Sequence, residues 1–343
     1  MKAAVIHEWN TFSLEEVDTP VIGKEEALLK VAYCGICHSD VRASQGLNPR
    51  AARPLIVGHE FSATVADIDS AARPDIQVGD KVCAHIIQSC GLCDTCRKGH
   101  PNLCRSMKVL GTQLPGTMAE YVKVPVTKLY KLPQDADLRL YALAEPLTVG
   151  VYSVQEAGLK LGDRVFIIGG GPIGLCCALA AKLSGASKIV VSELQEEKRS
   201  LIEGMGFIMV NPLDGDIVER AMELTEGKGY DQVYETSGSA AGTSIVTALA
   251  APRAVGMIVG QNTEKLPVST WEMMNREMQL RSIRTHRQEA FEAAVEIIKS
   301  GAITAELYQL ITMDYDFNQI QEAFEHCINY TDYCKVMIRI AGE

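Results

Sequence analysis

The sequence predicts an α/β protein with two domains, one rich in β-strands and one built on a doubly wound parallel sheet. Three observations lead to this prediction: a chain of 343 residues, long for a single domain; a change of pattern near residue 147; and a glycine-rich turn between a strand and a helix. With 47% hydrophobic and 22% charged residues, the chain can bury a sizeable core, which disfavours disordered, collagen-like and coiled-coil classes.

The first 140 residues or so have the pattern of β-structure, because short apolar runs such as 27–33 and 63–66 alternate with glycine and proline turn signals. From about residue 147, apolar runs alternate with helical stretches, which is typical of a parallel sheet. The predicted strands of that sheet are 164–168, 188–191, 206–210, 232–234, 254–259 and 280–283, and the clearest helices are 172–183 and 216–226. Helices at 289–299 and 317–325 and a strand at 335–340 follow, so we expect the tail to return to the β-rich part.

Charge and composition limit the partners and the compartment. A formal net charge of −10 gives no basic surface for nucleic acid or anionic lipid. The uncharged run 165–181, which no other uncharged run exceeds in length, is too short for a membrane span and is interrupted by glycines and a proline. Eleven cysteines, an odd number, and no recognisable signal peptide fit a reducing compartment. We therefore expect a cytoplasmic protein with neither nucleic acid nor membrane as a partner.

The turn after the first parallel strand carries a G-x-G-x-x-G pattern, and we expect Gly169, Gly171, Pro172, Ile173 and Gly174 to bind a dinucleotide. The first glycine allows the tight turn, the second lets a pyrophosphate approach the backbone, and the third lets the helix pack on the strand. The phosphates then accept hydrogen bonds from the N–H groups at the start of that helix.

Glu193 ends the second parallel strand, 19 residues after Gly174. An acid at this place accepts hydrogen bonds from the adenosine ribose and repels a 2′-phosphate, so the sequence favours NAD over NADP. A solvated loop charge is the alternative interpretation of Glu193. Arg199, beside Lys198, is a candidate cofactor residue that keeps NADP open, although its helical spacing also fits a solvated face.

Four thiols lie within fifteen residues, at Cys90, Cys93, Cys96 and Cys104. Four thiolates at such spacing can enclose Zn²⁺ tetrahedrally with no open position, which predicts a structural zinc site. An iron–sulfur cluster and four unliganded structural thiols are the alternatives.

A second, looser set consists of Cys37, His59, Glu60 and the distant Glu145. A thiolate, an imidazole and a carboxylate can hold zinc and leave one position for substrate. Their spacing alone does not decide between this and ordinary buried side chains.

The chain resembles the zinc-containing medium-chain dehydrogenase/reductase family over its whole length, in particular the polyol (sorbitol-type) and threonine dehydrogenase branch. The matching motifs are GICHSD at 35–40, GHE at 58–60, VGDKV at 78–82, the four-cysteine segment, GTMAEY at 116–121, EPL at 145–147 and the glycine turn at 169–174. The resemblance implies a GroES-like catalytic domain (1–146 with 284–343) and a Rossmann NAD-binding domain (147–283).

The resemblance also implies two zinc ions per chain. Cys37, His59 and Glu60 match the ligands of a catalytic zinc, and Glu145 matches a carboxylate that binds it directly or through water. The four clustered cysteines match a structural zinc site. Family members are usually dimers or tetramers, so a homodimer or homotetramer is expected.

The implied reaction oxidises a secondary alcohol of a small polyol to a ketone with NAD, and Ser39 takes the hydroxyl proton into a relay. Position 42, commonly histidine in the family, is Arg42 here, which leaves the later path of the proton open.

Arg42 and Arg284 raise the hypothesis of an anionic substrate, such as a sugar acid, phosphate or sulfonate. A structural or pyrophosphate-facing role is the alternative for Arg42. A threonine-type or general alcohol dehydrogenase also stays open, as does a non-catalytic nucleotide sensor.

Overall fold

The computed structural model describes residues 1–341, which form two compact units. The first unit consists of Met1–Glu145 together with the described residues from Arg287 onward. The second unit is the intervening segment, Pro146–His286.

Within residues 1–341, the strands are β1 (Lys2–Glu8), β2 (Thr11–Glu16), β3 (Glu26–Gly35), β4 (Glu60–Ile68), β5 (Lys81–Ala84), β6 (Ile87–Gln88), β7 (Lys108–Val109), β8 (Tyr121–Pro125), β9 (Leu129–Lys131), β10 (Arg164–Ile168), β11 (Lys188–Ser192), β12 (Ile208–Val210), β13 (Tyr230–Glu235), β14 (Ala250–Ile258), β15 (Gln279–Ser282), β16 (Ile311–Asp316) and β17 (Lys335–Arg339). The α-helices are α1 (His38–Ser44), α2 (Asp94–Arg97), α3 (Leu138–Tyr141), α4 (Ala144–Ala157), α5 (Pro172–Leu183), α6 (Glu196–Gly204), α7 (Ile217–Glu223), α8 (Ala240–Leu249), α9 (Thr270–Arg276), α10 (Gln288–Ser300), α11 (Thr304–Leu310) and α12 (Ile320–Asn329). Short 3₁₀ turns lie at Pro101–Leu103, Val126–Lys128 and Phe317–Gln319.

The first unit contains a seven-stranded mixed sheet in the order β16-β17-β3-β4-β5-β9, with β8 also paired to β3. The C-terminal strand β17 pairs antiparallel with β3 and parallel with β16, so the tail does return to the β-rich part. Alternate residues of β3 and β4, such as Leu29, Val31, Ala63 and Val65, enter one apolar core. This sheet holds the residues around Cys37 and Glu60 in fixed register.

The second unit contains a six-stranded parallel sheet in the order β12-β11-β10-β13-β14-β15. Its central strands are almost wholly buried and rich in Val and Ile, as expected when helices cover both faces. Ile168 of β10 lies opposite Ser192 on one side and Glu235 on the other. The chain therefore leaves three adjacent strands at the same edge of the sheet.

The helix predicted at 172–183 has those bounds in the structure, and the strand predicted at 254–259 begins earlier, at Ala250. Pro252 disfavours an ordinary strand, but an irregularity in the β13–β14 register and a positive φ at Arg253 accommodate it. The segment 317–325 is divided between a 3₁₀ turn and α12. No helix within residues 1–341 is long and apolar enough to span a membrane.

Candidate metal centres and nucleotide turn

Strand pairing brings together two segments that lie more than twenty residues apart in the sequence. Gly35, at the end of β3, is the register partner of Glu60, at the start of β4. Cys37 follows β3 as the N-cap residue of α1, and His59 immediately precedes β4. The donor atoms of Cys37, His59 and Glu60 all lie within 4.8 Å of one another.

Asp40 is a residue of this site that the sequence did not single out. It is 2% exposed, and its Oδ1 accepts hydrogen bonds from His59 Nδ1 and from the backbone N–H of Gly58, both at 3.1 Å. Its Oδ2 accepts the backbone N–H of Cys37 at 3.2 Å. The contact with Nδ1 leaves His59 Nε2 available to a metal ion, an arrangement common where a carboxylate hydrogen-bonds a metal-binding histidine. The capping-box spacing of Cys37 and Asp40 was the signal in the sequence.

Electrostatics at His59 follow from its surroundings. Burial lowers the pKa of His59, but the Asp40 carboxylate and the Cys37 thiol raise it more, so the pKa is raised overall. A thiol, an imidazole with a fixed tautomer and a carboxylate at mutual ligand distance fit Zn²⁺, since sulfur, nitrogen and oxygen ligands are those zinc takes.

Glu60 has a second partner, Lys335, which the sequence analysis also missed. Lys335 begins β17 and lies 275 residues from Glu60, yet its Nζ is 2.7 Å from both carboxylate oxygens. Burial raises the pKa of Glu60, and the Glu145 carboxylate adds to this, whereas Lys335 opposes both. The sign of this pairing in the sequence was a lysine directly before the apolar run 336–338.

The other residues predicted for the first site occupy the same unit. Glu145 is the second residue of α4 and is buried; its charge influences Glu60, but it lies outside the three-residue group. Ser39 Oγ lies 3.4 Å from His59 Nε2, which places its hydroxyl beside the candidate ligands. Arg42 lies one turn after His38 on α1; burial lowers the pKa of His38 and the Arg42 charge lowers it further.

The four cysteines of the second candidate centre lie around α2 and the 3₁₀ turn that follows it. The Sγ atoms of Cys93 and Cys96 are 3.4 Å apart, as are those of Cys90 and Cys104, and Cys93 and Cys104 are 3.9 Å apart. Tetrahedral zinc with Zn–S bonds of about 2.3 Å needs thiolates about 3.8 Å apart, so these cysteines fit zinc. A hydrogen bond from Thr95 and the backbone N–H of Cys96 lower the pKa of Cys93 to about 5, which favours its thiolate.

Six further cysteines are all buried: Cys34, Cys83, Cys176, Cys177, Cys327 and Cys334. Burial of all six fits thiols that pack in the core.

The glycine turn connects β10 to α5. Gly169 has a φ of +99°, which favours glycine, and a Cβ on Gly174 would overlap the Gly169 carbonyl oxygen. A Cβ on Gly171, the N-cap residue, would instead meet no atom within 4 Å. This open space before the first turn of α5, which holds Pro172 and Ile173, fits a pyrophosphate against the helix N-terminus.

Glu193 lies beside this turn. Its Oε2 accepts the backbone N–H of Gly170 at 2.8 Å, and its Oε1 accepts those of Leu194 and Gln195 at 2.8 and 2.9 Å. Within residues 1–341, Oε2 accepts only the hydrogen bond from Gly170 and so keeps lone-pair capacity for a ribose hydroxyl. Arg199 donates to the Leu194 carbonyl at 2.6 Å, and Arg284 is an exposed residue after β15. Arg42 and Arg284 belong to different units.

Comparisons with known proteins agree with the fold described above. Residues 23–134 match the family model for the alcohol dehydrogenase GroES-like domain, and residues 172–300 match that for zinc-binding dehydrogenase. A 2-dehydro-3-deoxy-L-galactonate 5-dehydrogenase of Pseudoalteromonas atlantica is 34% identical, with 81% of each chain covered. A sorbitol dehydrogenase of Bacillus subtilis is 30% identical, covering 98% of this chain and 97% of its own.

The crystal structure of a zinc-binding dehydrogenase from Sinorhizobium meliloti, bound to NADP, superposes with a TM-score of 0.92 at 31% identity over 99% of both chains. The comparisons confirm the predicted family resemblance, and with it the fold: a GroES-like part with a mixed sheet and a Rossmann-type part with a parallel sheet.

Proposed function

This chain belongs to the zinc-binding dehydrogenase family, and from that premise we propose that it interconverts a secondary alcohol of a small polyol and the corresponding ketone with NAD(H). The observation that carries the proposal is the convergence of Cys37, His59 and Glu60 within 4.8 Å beside the Ser39 hydroxyl. A non-catalytic nucleotide sensor has no use for such a set of groups.

We assign Cys37, His59 and a carboxylate from Glu60 or Glu145 as ligands of one zinc ion, and Cys90, Cys93, Cys96 and Cys104 as ligands of a second. The first ion, when bound, supplies Lewis acidity that makes a substrate hydroxyl a better proton donor. Asp40 holds the His59 ring in place and fixes its tautomer. The Ser39 hydroxyl, 3.4 Å from His59 Nε2, accepts the substrate proton and passes it outward.

For the dinucleotide we assign the turn 169–174 to the pyrophosphate and Glu193 to the adenosine ribose. These residues would hold NAD, which would supply the hydride acceptor of the reaction. Three backbone N–H groups fix the Glu193 carboxylate at the edge where β11 ends, and a 2′-phosphate there would meet a like charge. This supports NAD for this chain, even though the Sinorhizobium relative was crystallised with NADP.

We further propose an anionic substrate, and Arg42 supports this class. Arg42 lies on α1, about one turn beyond Ser39, and its charge acts on His38. Guanidinium groups bind carboxylate, phosphate or sulfonate with two parallel hydrogen bonds. A relative named for a sugar-acid substrate, the galactonate dehydrogenase, supports this class, whereas a relative named for sorbitol supports a neutral polyol.

The test is a panel of neutral polyols, aldonic acids, polyol phosphates and sulfonates, threonine and ethanol, each assayed with NAD and NADP by absorbance of the reduced cofactor. We expect an anionic polyol to give the highest kcat/KM. Arg42→Ala should then raise KM for that substrate about tenfold or more, since charged hydrogen bonds contribute about 1.5–3 kcal/mol, and should change KM for a neutral polyol little. Equal rates with ethanol, or a preference for threonine, would overturn the polyol assignment.

The remaining proposals concern organisation. We assign 1–146 with 284–343 to catalysis and 147–283 to coenzyme binding, an assignment supported by the division of the chain into two units near these positions. Because members of the family are usually dimers or tetramers, we propose a homodimer or homotetramer. Analytical ultracentrifugation would measure the oligomeric state. A cytoplasmic location is supported by eleven cysteines, none of them paired in a disulfide within residues 1–341, which fits a reducing environment.

A further inference from the structure

A threonine in the loop after β13 contacts the backbone of the dinucleotide turn. Thr236, the first residue after β13, is partly buried, and its hydroxyl lies 2.9 Å from the carbonyl oxygens of both Ile168 and Gly169. The Ile168 carbonyl also accepts the backbone N–H of Thr236, at 2.9 Å. The single hydroxyl proton is therefore of more use to the carbonyl of Gly169, which belongs to the turn itself.

The peptide between Gly169 and Gly170 connects Thr236 to Glu193. In a planar trans peptide the carbonyl and the N–H that follows it point in opposite directions. The carbonyl of this peptide faces the Thr236 hydroxyl, and its N–H donates to Glu193 Oε2 at 2.8 Å. A continuous chain of hydrogen bonds thus runs from the hydroxyl through the peptide to the carboxylate, and hydrogen bonds in such chains strengthen one another.

Glu235 fixes the loop in which Thr236 lies. Its side chain is fully buried, and its Oε1 accepts the backbone N–H groups of Ser237 and Gly238, both at 2.9 Å. These two bonds hold the backbone immediately after Thr236. A Cβ on Gly169 would lie 3.1 Å from the Cβ of Ser237, so the loop packs directly on the dinucleotide turn.

We propose that Thr236 is a positioning residue for cofactor choice: its hydroxyl fixes the Gly169–Gly170 peptide and, through that peptide, the Glu193 carboxylate that receives the adenosine ribose of NAD. This rests on the proposed function, because it requires a dinucleotide at the turn 169–174. The G-x-G-x-x-G pattern does not include this hydroxyl, which comes from a residue 67 positions after Gly169.

Removal of the hydroxyl should act differently on the two cofactors. The Gly169–Gly170 peptide is then less firmly held, and with it the N–H that fixes Glu193 Oε2. NAD loses a preorganised contact to its ribose, which lowers its affinity. A 2′-phosphate instead meets a carboxylate that can turn away from it, so the repulsion of NADP weakens.

Thr243 in α8 provides a matched control. Its hydroxyl and its backbone N–H both donate to the carbonyl of Ser239 at 3.0 Å, just as those of Thr236 both reach Ile168. Ser239 is the N-cap residue of α8 and lies outside the dinucleotide turn. Thr243→Val therefore removes a comparable hydroxyl from the same unit, whereas Thr236→Ser keeps the hydroxyl at the site.

The experiment titrates purified full-length protein with NADH and with NADPH and follows the fluorescence of the reduced nicotinamide, which measures Kd without turnover. We expect Thr236→Val to raise the Kd of NADH about fivefold, the scale of one neutral hydrogen bond. The Kd of NADPH should stay unchanged or fall. Thr236→Ser and Thr243→Val should both bind the two cofactors as wild type does.

A double-mutant cycle separates positioning from a loss of packing. In a Glu193→Ser background, Thr236→Val should raise the Kd of NADH by less than about twofold, because the carboxylate on which the hydroxyl acts is gone. Thr236→Ala also lacks the hydroxyl and should reproduce the cycle if Thr236→Val folds poorly.

An unchanged Kd of NADH in Thr236→Val would overturn the role of Thr236, as would an increase of about fivefold that persists in the Glu193→Ser background. An equal increase in Thr243→Val would also overturn it, because the effect would then not depend on the turn. If wild-type protein binds neither cofactor, the dinucleotide site itself is wrong and this proposal fails with it.

Discussion

Asp40→Asn tests whether one buried carboxylate organises the proposed catalytic centre. The substitution keeps the shape of the side chain but replaces an acceptor oxygen by an NH₂ group. The remaining oxygen can still accept from His59 Nδ1 and Gly58, as Oδ1 does now, while the new NH₂ faces the backbone N–H of Cys37. One buried donor thus loses its partner, and the contact to His59 is no longer charge-assisted.

The expected losses of stability and of zinc affinity follow from these two lost interactions. One unsatisfied buried N–H lowers the free energy of unfolding by about 1–3 kcal/mol. Loss of the charged partner of a zinc-binding histidine weakens zinc by about 10- to 100-fold, or about 1.4–2.8 kcal/mol. Zinc competition with a chromogenic chelator measures the second effect, and urea denaturation measures the first.

Asp80→Asn is the matched control, because Asp80 is equally buried and likewise accepts from three donors: Gln77 N, Gln134 Nε2 and Lys131 Nζ. We expect it to lower stability comparably and to leave zinc affinity unchanged. If Asp40→Asn binds zinc as tightly as wild type, or if Asp80→Asn weakens zinc to the same extent, then Asp40 is only structural and the argument from His59 orientation fails.

Two further predictions concern the dinucleotide turn. Gly171→Ala should change the free energy of unfolding by no more than about 0.5 kcal/mol but weaken NAD binding at least tenfold in a fluorescence titration, because its Cβ points into the open space assigned to the pyrophosphate. Gly174→Ala should instead lower the free energy of unfolding by more than about 2 kcal/mol, because its Cβ overlaps the Gly169 carbonyl. Equal stability of the two variants would refute this distinction. Glu193→Ser should raise the ratio of kcat/KM for NADP to that for NAD by about tenfold or more, because it removes a negative charge from the place where the 2′-phosphate would lie. An unchanged ratio would mean that Glu193 has no role in cofactor choice.

Local patterns in the sequence were sufficient for the four-cysteine centre and the glycine turn. Cys90 to Cys104 span fifteen residues, and the turn from Gly169 to Gly174 is shorter still, so the geometry of each depends mainly on nearby backbone. The helix predicted at 172–183 agrees with the structure for the same reason, since proline at its first position and an apolar face are local signals.

Local sequence patterns predicted only part of the first candidate centre. Cys37, His59 and Glu60 were found through motifs, but their spacing alone allowed ordinary buried side chains. Pairing of Gly35 with Glu60 is what brings them within 4.8 Å of one another. Such long-range register is decided by packing of the whole sheet rather than by any short pattern.

By itself, the sequence determined the fold class, the family and the residue types able to hold two zinc ions and a dinucleotide, because short spacings and strand–helix alternation encode them. Tertiary structure alone decided what surrounds those groups. Asp40 accepts three converging hydrogen bonds, one of them from His59, and Lys335 meets Glu60 across 275 residues of chain. The physical reason is that a buried charge needs a partner, and the fold, not the order of residues, determines which partner lies within reach.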